Sequence, residues 1–193
     1  MSRLSAVTEA IDAANRADPA TLRFEGEDHP RAWLEGRRAR HWIDRLRPDA
    51  ADPLRLAANA HHLRRWEVPR ESYPRTRPGY LDWRSGLYEF HGGALGELMR
   101  AAGYPDDEIA EAARIMVKRA IKTDADVQSY EDSVSLAFLE TRLMDFAPSV
   151  SDDQLMRALR RTWRKMSDAG HDAALTLDLS ADAAAIVQRA LAN

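Results

Sequence analysis

Val127-Gln-Ser-Tyr-Glu-Asp-Ser-Val-Ser-Leu-Ala-Phe-Leu-Glu-Thr-Arg-Leu-Met-Asp-Phe146 is the stretch that decides the fold. Wound at about 100° per residue, it is apolar on most of its sides, as a helix at the centre of a helical domain must be. Asp132, Leu136, Leu139 and Leu143 share one side, which places Asp132 deeper than a solvated acid. Two adjacent acids, Glu131 and Asp132, on a mostly buried helix require a capping role, a cationic partner or a metal.

Helical punctuation continues in both directions. Downstream, Ser151-Asp152-Asp153-Gln154 is a capping box for a helix to about Ala169, and Ser180 caps a short terminal helix. Upstream, a polar connection at 122–126 follows a helix opened by Pro105-Asp106-Asp107-Glu108, whose acids suit the positive end of the helix dipole. Gly103 ends a long helix over about Tyr80 to Ala101. Pro69, Pro74 and Pro78 make residues 67–79 an extended connection. Asp52-Pro53 starts a third helix running to about Arg65. Pro48 stops a second, over about Arg31 to Leu46, with Trp33, Leu34, Ile43 and Leu46 on its apolar side. Leu4, Val7, Ile11 and Ala14 give the first helix, closed by Asp18-Pro19. Residues 18–30 read as a loop, and no strand-period segment competes. The expectation is an all-α single domain over 1–193 with about seven helices. Its core covers about 11–177, and a peripheral helix occupies about 180–192.

The 193 residues suffice for one domain with a real core. Thirty-one acids against 28 bases leave a net charge of −3, so no global basic field favours nucleic acid. With no cysteine, disulfides, thiolate metal sites and cysteine nucleophiles are excluded. No apolar run approaches a membrane helix and the N-terminus lacks a signal-peptide core, so a cytoplasmic location is expected. Walker, dinucleotide-binding, His-Glu-x-x-His and Gly-x-Ser-x-Gly patterns are all missing.

Chemistry concentrates in Asn59-Ala-His-His-Leu-Arg-Arg-Trp-Glu-Val-Pro-Arg70. Imidazoles suggest metal coordination or proton transfer, and forked guanidiniums suggest phosphate. On the third helix, His61 and His62 fall on opposite flanks at about 100° per residue, so at most one of them can ligate a given ion. His91 lies among Leu87, Tyr88, Ala94 and Leu95, followed by Gly92-Gly93. Arg64, Arg65, Arg70, Arg84, Lys118 and Lys122 are anion-binding candidates, with Trp66, Tyr73, Tyr80 and Trp83 beside them. Together they can clamp a nucleotide, or simply tie a proline-rich loop to the helices.

The string His62-Leu63-Arg64-Arg65-Trp66-Glu67-Val68-Pro69-Arg70, with Ser72-Tyr73-Pro74, Gly79-Tyr80, Trp83-Arg84 and Thr162-Trp163-Arg164-Lys165-Met166-Ser167, resembles a family of bacterial and fungal domains of unknown function. His91, Gly103-Tyr104, Lys118, Gln128, Glu131-Asp132 and Phe138-Leu139-Glu140 also look like its motifs. Members are sometimes labelled glutamyl-tRNA synthetase-like. Lys165-Met166-Ser167 resembles the start of the Lys-Met-Ser-Lys-Ser loop, but Asp168 follows where lysine is needed, and that activity is rejected. A more remote resemblance is to the helical HD phosphohydrolases, in the order His41, His61-His62, His91, Asp132 on successive helices. Leu63 departs from it, standing where an aspartate should follow His62.

The resemblance implies an HD-like bundle with one divalent metal held by His62, His91 and Asp132, and with Glu131 and Lys118 as catalytic groups. Arg64, Arg65, Arg70, Arg84, Trp66, Tyr80 and Lys122 would hold the phosphate-bearing ligand. The expected activity is metal-dependent hydrolysis of a nucleotide or small phosphorylated metabolite. The alternatives are a non-catalytic scaffold binding a nucleotide or RNA end, and a helical interaction module. Mixed imidazole and carboxylate ligation suits Zn, Fe, Mn or Ni.

Overall fold

Ser2 accepts a hydrogen bond from the backbone N–H of Ser5 and opens α1, Arg3–Asn15. This computed structural model describes residues 1–192. Instead of a plain loop, residues 18–30 contain an antiparallel hairpin, β1 Thr21–Phe24 and β2 Glu27–Pro30. Glu25 and Gly26 join the strands with φ of 51° and 86°, the two positive values that a tight hairpin turn of matching twist requires. Asp18 fastens its base, accepting from the N–H groups of Ala20 and Ala32.

The second helix has the expected bounds, α2 Arg31–Leu46. The third is shorter than expected: α3 covers Asp52–Asn59, and residues 60–64 turn away from its axis. Two 3-10 turns, Arg65–Glu67 and Arg70–Ser72, then occupy the proline-rich connection. Thr76 caps α4, Arg77–Ala101, with Pro78 in its first turn. Gly103, at φ 78°, releases the chain into α5, Asp106–Met116, whose first turn carries Asp106, Asp107 and Glu108.

Asp124 caps the central helix, α6 Ala125–Thr141. The helix expected to reach Phe146 breaks at Arg142 and resumes as α7, Leu143–Phe146. The capping box at Ser151 and Gln154 starts α8, Asp152–Lys165. That helix stops four residues short of expectation, because Met166 is extended and Ser167 caps a separate α9, Asp168–Leu175. Ser180 caps α10, Ala181–Leu191. Ten α-helices, against about seven expected, accompany one small hairpin among the described residues.

Burial follows the apolar stripes. Ile11, Ile43, Leu54, Leu56, Leu63, Leu95, Met99, Ile115 and Met116 form the main core, where α1 to α5 meet. α6 lies along α2, and Glu140 fixes the pair: its oxygens receive the Arg38 fork at 2.6 and 2.8 Å, and Trp42 Nε1–H donates to it at 3.1 Å. A forked guanidinium–carboxylate pair is among the stronger polar contacts available to a helix interface. α2 also meets α3 at Gly36, where a Cβ would lie 2.3 Å from the Asn59 carbonyl oxygen. A second apolar cluster joins α8 and α10 to Leu139 and Leu143.

Candidate functional site

Three imidazoles converge where α3 ends. Because the helix stops at Asn59, the 100° spacing that separates His61 from His62 no longer applies. The rings stack instead, with centroids 4.1 Å apart and planes 30° apart. Both therefore face one hollow, contrary to the opposite-flank expectation. Arg64 makes the reversal possible by adopting φ 55°, and its N–H donates to the Asn15 side-chain oxygen at 3.1 Å. A left-handed arginine is uncommon, and the buried Asn15 holds this one in place.

His91 arrives from α4 and is buried. Its ring centroid lies 6.3 Å from that of His62. Its Nδ1–H donates to the Leu63 carbonyl at 2.8 Å, and Nε2 is buried without a partner among the described residues. His62 Nδ1 lies 2.5 Å from Glu35 Oε2 of α2, and His61 Nδ1 lies 3.3 Å from the Ala58 carbonyl. The three rings share one pattern. Each engages an oxygen through Nδ1, which directs the Nε2 lone pair elsewhere; metal-ligating histidines are oriented in this way.

Burial holds the imidazoles neutral. It pushes His61 and His62 well below their ordinary range, aided for His61 by His62 and for His62 by Arg65. Burial brings His91 down to about 4, against the contribution of the Leu63 carbonyl.

Cations and rings complete the walls. Arg65, Tyr80, Trp83, Arg84, Tyr88 and Lys118 line a hollow of about 210 Å³ with the three histidines. An adjoining space of about 280 Å³ shares His61, His62 and Lys118 and extends to Glu35, Phe138 and Arg142. Arg65 lies over the Trp83 ring at 4.8 Å, and burial lowers its pKa. Arg84 donates to the Tyr88 hydroxyl at 3.2 Å. Lys118, at φ 58°, sits over Tyr130 at 5.0 Å and reaches Glu131 at 2.8 Å. Lys165 meets the other Glu131 oxygen at 3.1 Å. Burial works to raise the Glu131 pKa, but the two lysines outweigh it and hold the carboxyl below its ordinary range.

Several expected site residues are engaged elsewhere. Asp132 accepts from Ser167 N–H at 2.8 Å, Ser167 Oγ–H at 2.6 Å and Gln128 Nε2–H at 3.0 Å. It anchors the start of α9 and does not join His62 and His91. Glu35 supplies the carboxylate instead. Among the described residues, Glu35, His61 and His62 are the group whose ligand atoms all lie within 4.8 Å of one another. Arg64 forks onto Glu67 at 2.7 Å through both nitrogens, and Arg70 donates to the Tyr73 and Pro74 carbonyls. Both tie the loop. Lys122 donates to the Met166 carbonyl at 2.6 Å, and Trp66 does not line the cavity. His41 lies in a separate hollow with Asp12, Arg37 and Asp44.

Glu35 and Arg142 were missed from sequence. Glu35 falls four and eight residues before the buried Ala39 and Ile43, so a carboxylate on the core face of α2 was the available signal. Arg142, at the break after α6, donates to Glu35 Oε1 at 3.2 Å.

Residues 5–187 match a protein-family model described as a domain of unknown function, DUF4202. No curated protein and no solved structure matches the chain.

Proposed function

The chain belongs to the DUF4202 family of domains of unknown function, and we propose that its histidine cavity is a metal-assisted phosphohydrolase site for a nucleotide or small phosphorylated metabolite. One observation carries the reading: three neutral imidazoles, each engaged through Nδ1, share a cavity with Arg65, Arg84 and Lys118. The donor set fits a divalent ion, since Glu35, His61 and His62 bring two imidazoles and a carboxylate together and sulfur is absent. Those three residues would hold it, and it would supply Lewis acidity and a water of lowered pKa.

The protein's own groups do the rest. Arg65 and Arg84 hold phosphoryl oxygens through their forks, and Lys118 adds a point charge between the ligand and Glu131. Cations placed in advance where negative charge develops lower the barrier without reorganising during the reaction. His91 Nε2, neutral and without a partner, is placed to accept a proton. Trp83 stacks under Arg65 and keeps its fork in one orientation.

A non-catalytic phosphate-binding scaffold is the second reading. It is favoured by Glu35, whose two oxygens already serve His62 and Arg142. Tag-free protein decides between them by elemental analysis, nucleotide thermal shift and phosphate release from a nucleotide panel. Stoichiometric metal with turnover supports the enzyme. Nucleotide binding without metal or turnover supports the scaffold, and no shift with any nucleotide or with inorganic pyrophosphate removes both.

A further inference from the structure

α8 carries a second electrostatic feature, remote in character from the histidine cavity. Arg157, Arg160, Arg161 and Arg164 recur at spacings of three and four residues, so all four project from one face. With Trp163 and Leu191 they line an open groove of about 410 Å³ against α10, and no acidic residue is among the described residues lining it. None of the four takes part in an ion pair among the described residues, whereas Arg40, Arg55, Arg114 and Arg189 each meet a carboxylate. Arg160 alone is committed, donating to the Ala190 carbonyl at 3.0 Å. Arg157, Arg161 and Arg164 are exposed.

Like charges three and four residues apart destabilise a helix. Arg157 with Arg161 and Arg160 with Arg164 repeat that penalty along one face. The feature makes physical sense with an external polyanion. Guanidinium forks match phosphate geometry, and an indole beside them offers a base a surface to stack on. Trp163 is held upright by a parallel stack on His171, with centroids 4.1 Å apart and planes 11° apart. An anionic membrane fits less well, because Leu191 is the one large exposed apolar side chain lining the groove.

We propose that the α8 face binds single-stranded nucleic acid through its phosphate backbone, with a base seated beside Trp163. The site is independent of the histidine cavity and of any metal there.

The test uses the full chain and fluorescently labelled oligo-uridylate and oligo-deoxythymidylate of 12 nucleotides, followed by anisotropy across a potassium chloride series. Contacts from three exposed arginines predict a log–log salt slope of about −2, so affinity falls roughly 20-fold between 50 and 200 mM. The triple variant R157Q/R161Q/R164Q abolishes binding while its melting temperature holds or rises, because the repulsion on α8 is gone. W163A lowers affinity about tenfold, and H61A/H62A binds the oligonucleotides as the parent chain does. Equal affinity in the triple variant, or a salt slope near zero, overturns the proposal. Sedimentation with phosphatidylserine vesicles but no binding to either oligonucleotide also overturns it, by assigning the face to membrane.

Discussion

His62 Nδ1 lies 2.5 Å from Glu35 Oε2, and Arg142 takes the other oxygen of the same buried carboxylate. Glu35 thus connects α2, the turn after α3 and the break after α6. Removing it leaves a guanidinium and an imidazole without their acceptor. Glu35→Ala is expected to cost about 2–4 kcal/mol in urea denaturation, and any divalent-ion stabilisation of the folded chain is expected to vanish. Unchanged stability would show that the carboxylate does not anchor the site.

Arg65 discriminates ligand binding from scaffolding. It lines the cavity and rests on Trp83, and it meets no carboxylate among the described residues. Arg65→Ala is expected to weaken pyrophosphate binding at least tenfold by calorimetry. Arg65→Lys recovers little of it, because the fork is lost with the planar head. A large fall in melting temperature with unaltered pyrophosphate affinity would instead make Arg65 a strut for the loop.

Acid should destabilise the protein through His91. Its folded value near 4 lies below the ordinary 6.5, so between those values the unfolded chain binds the extra proton. The stabilising contribution is complete above pH 6.5 and is lost as pH falls toward 4, by up to about 3 kcal/mol. His61 and His62 shift in the same direction. Stability curves from pH 4 to 7 should therefore be steep in the parent and shallower in His91→Phe. Superimposable slopes would count against a buried neutral imidazole at 91.

Asp132 tests the division between structure and site. Asp132→Ala removes the acceptor for both Ser167 donors at the α9 start and for Gln128 on α6 and is expected to cost about 2–3 kcal/mol. Metal and pyrophosphate binding at the histidine cavity should survive under conditions where the variant remains folded. Selective loss of metal from a fully stable Asp132→Ala would return this residue to the cavity.

Gly36 offers a check on the α2–α3 contact. An added methyl meets backbone at 2.3 Å, and backbone cannot rotate aside. Gly36→Ala should lose about 3 kcal/mol, whereas Gly93→Ala, with open space around it, should be neutral or slightly stabilising. Thermal melts of the pair settle it.

Local signals explain which elements were legible. Pro48 and the apolar stripe set the bounds of α2, and Ser151 with Gln154 announced α8 through side-chain chemistry that acts within four residues. The hairpin escaped because its strands are four residues long and bury only Leu22 of that stretch. The end of α3 escaped for another reason: no glycine or proline marks it, and the left-handed turn falls on Arg64. That turn decides which imidazoles meet, so the site was harder to read than the helices. His62, His91, Arg65, Arg84, Tyr80 and Lys118 were named from sequence and line the hollow. Glu35 was missed because its partners lie 27 and 107 positions away, beyond any local pattern.

The Arg38–Glu140 fork spans 102 positions, and that span has a kinetic meaning. Every histidine of the cavity precedes residue 92, yet Arg142 and Phe138 of its wall arrive only when α6 lies down on α2. Closing so long a loop is entropically slow. On a ribosome the pocket would remain half-built until Arg142 had emerged, 51 residues after His91, so ligand capture must wait for α6.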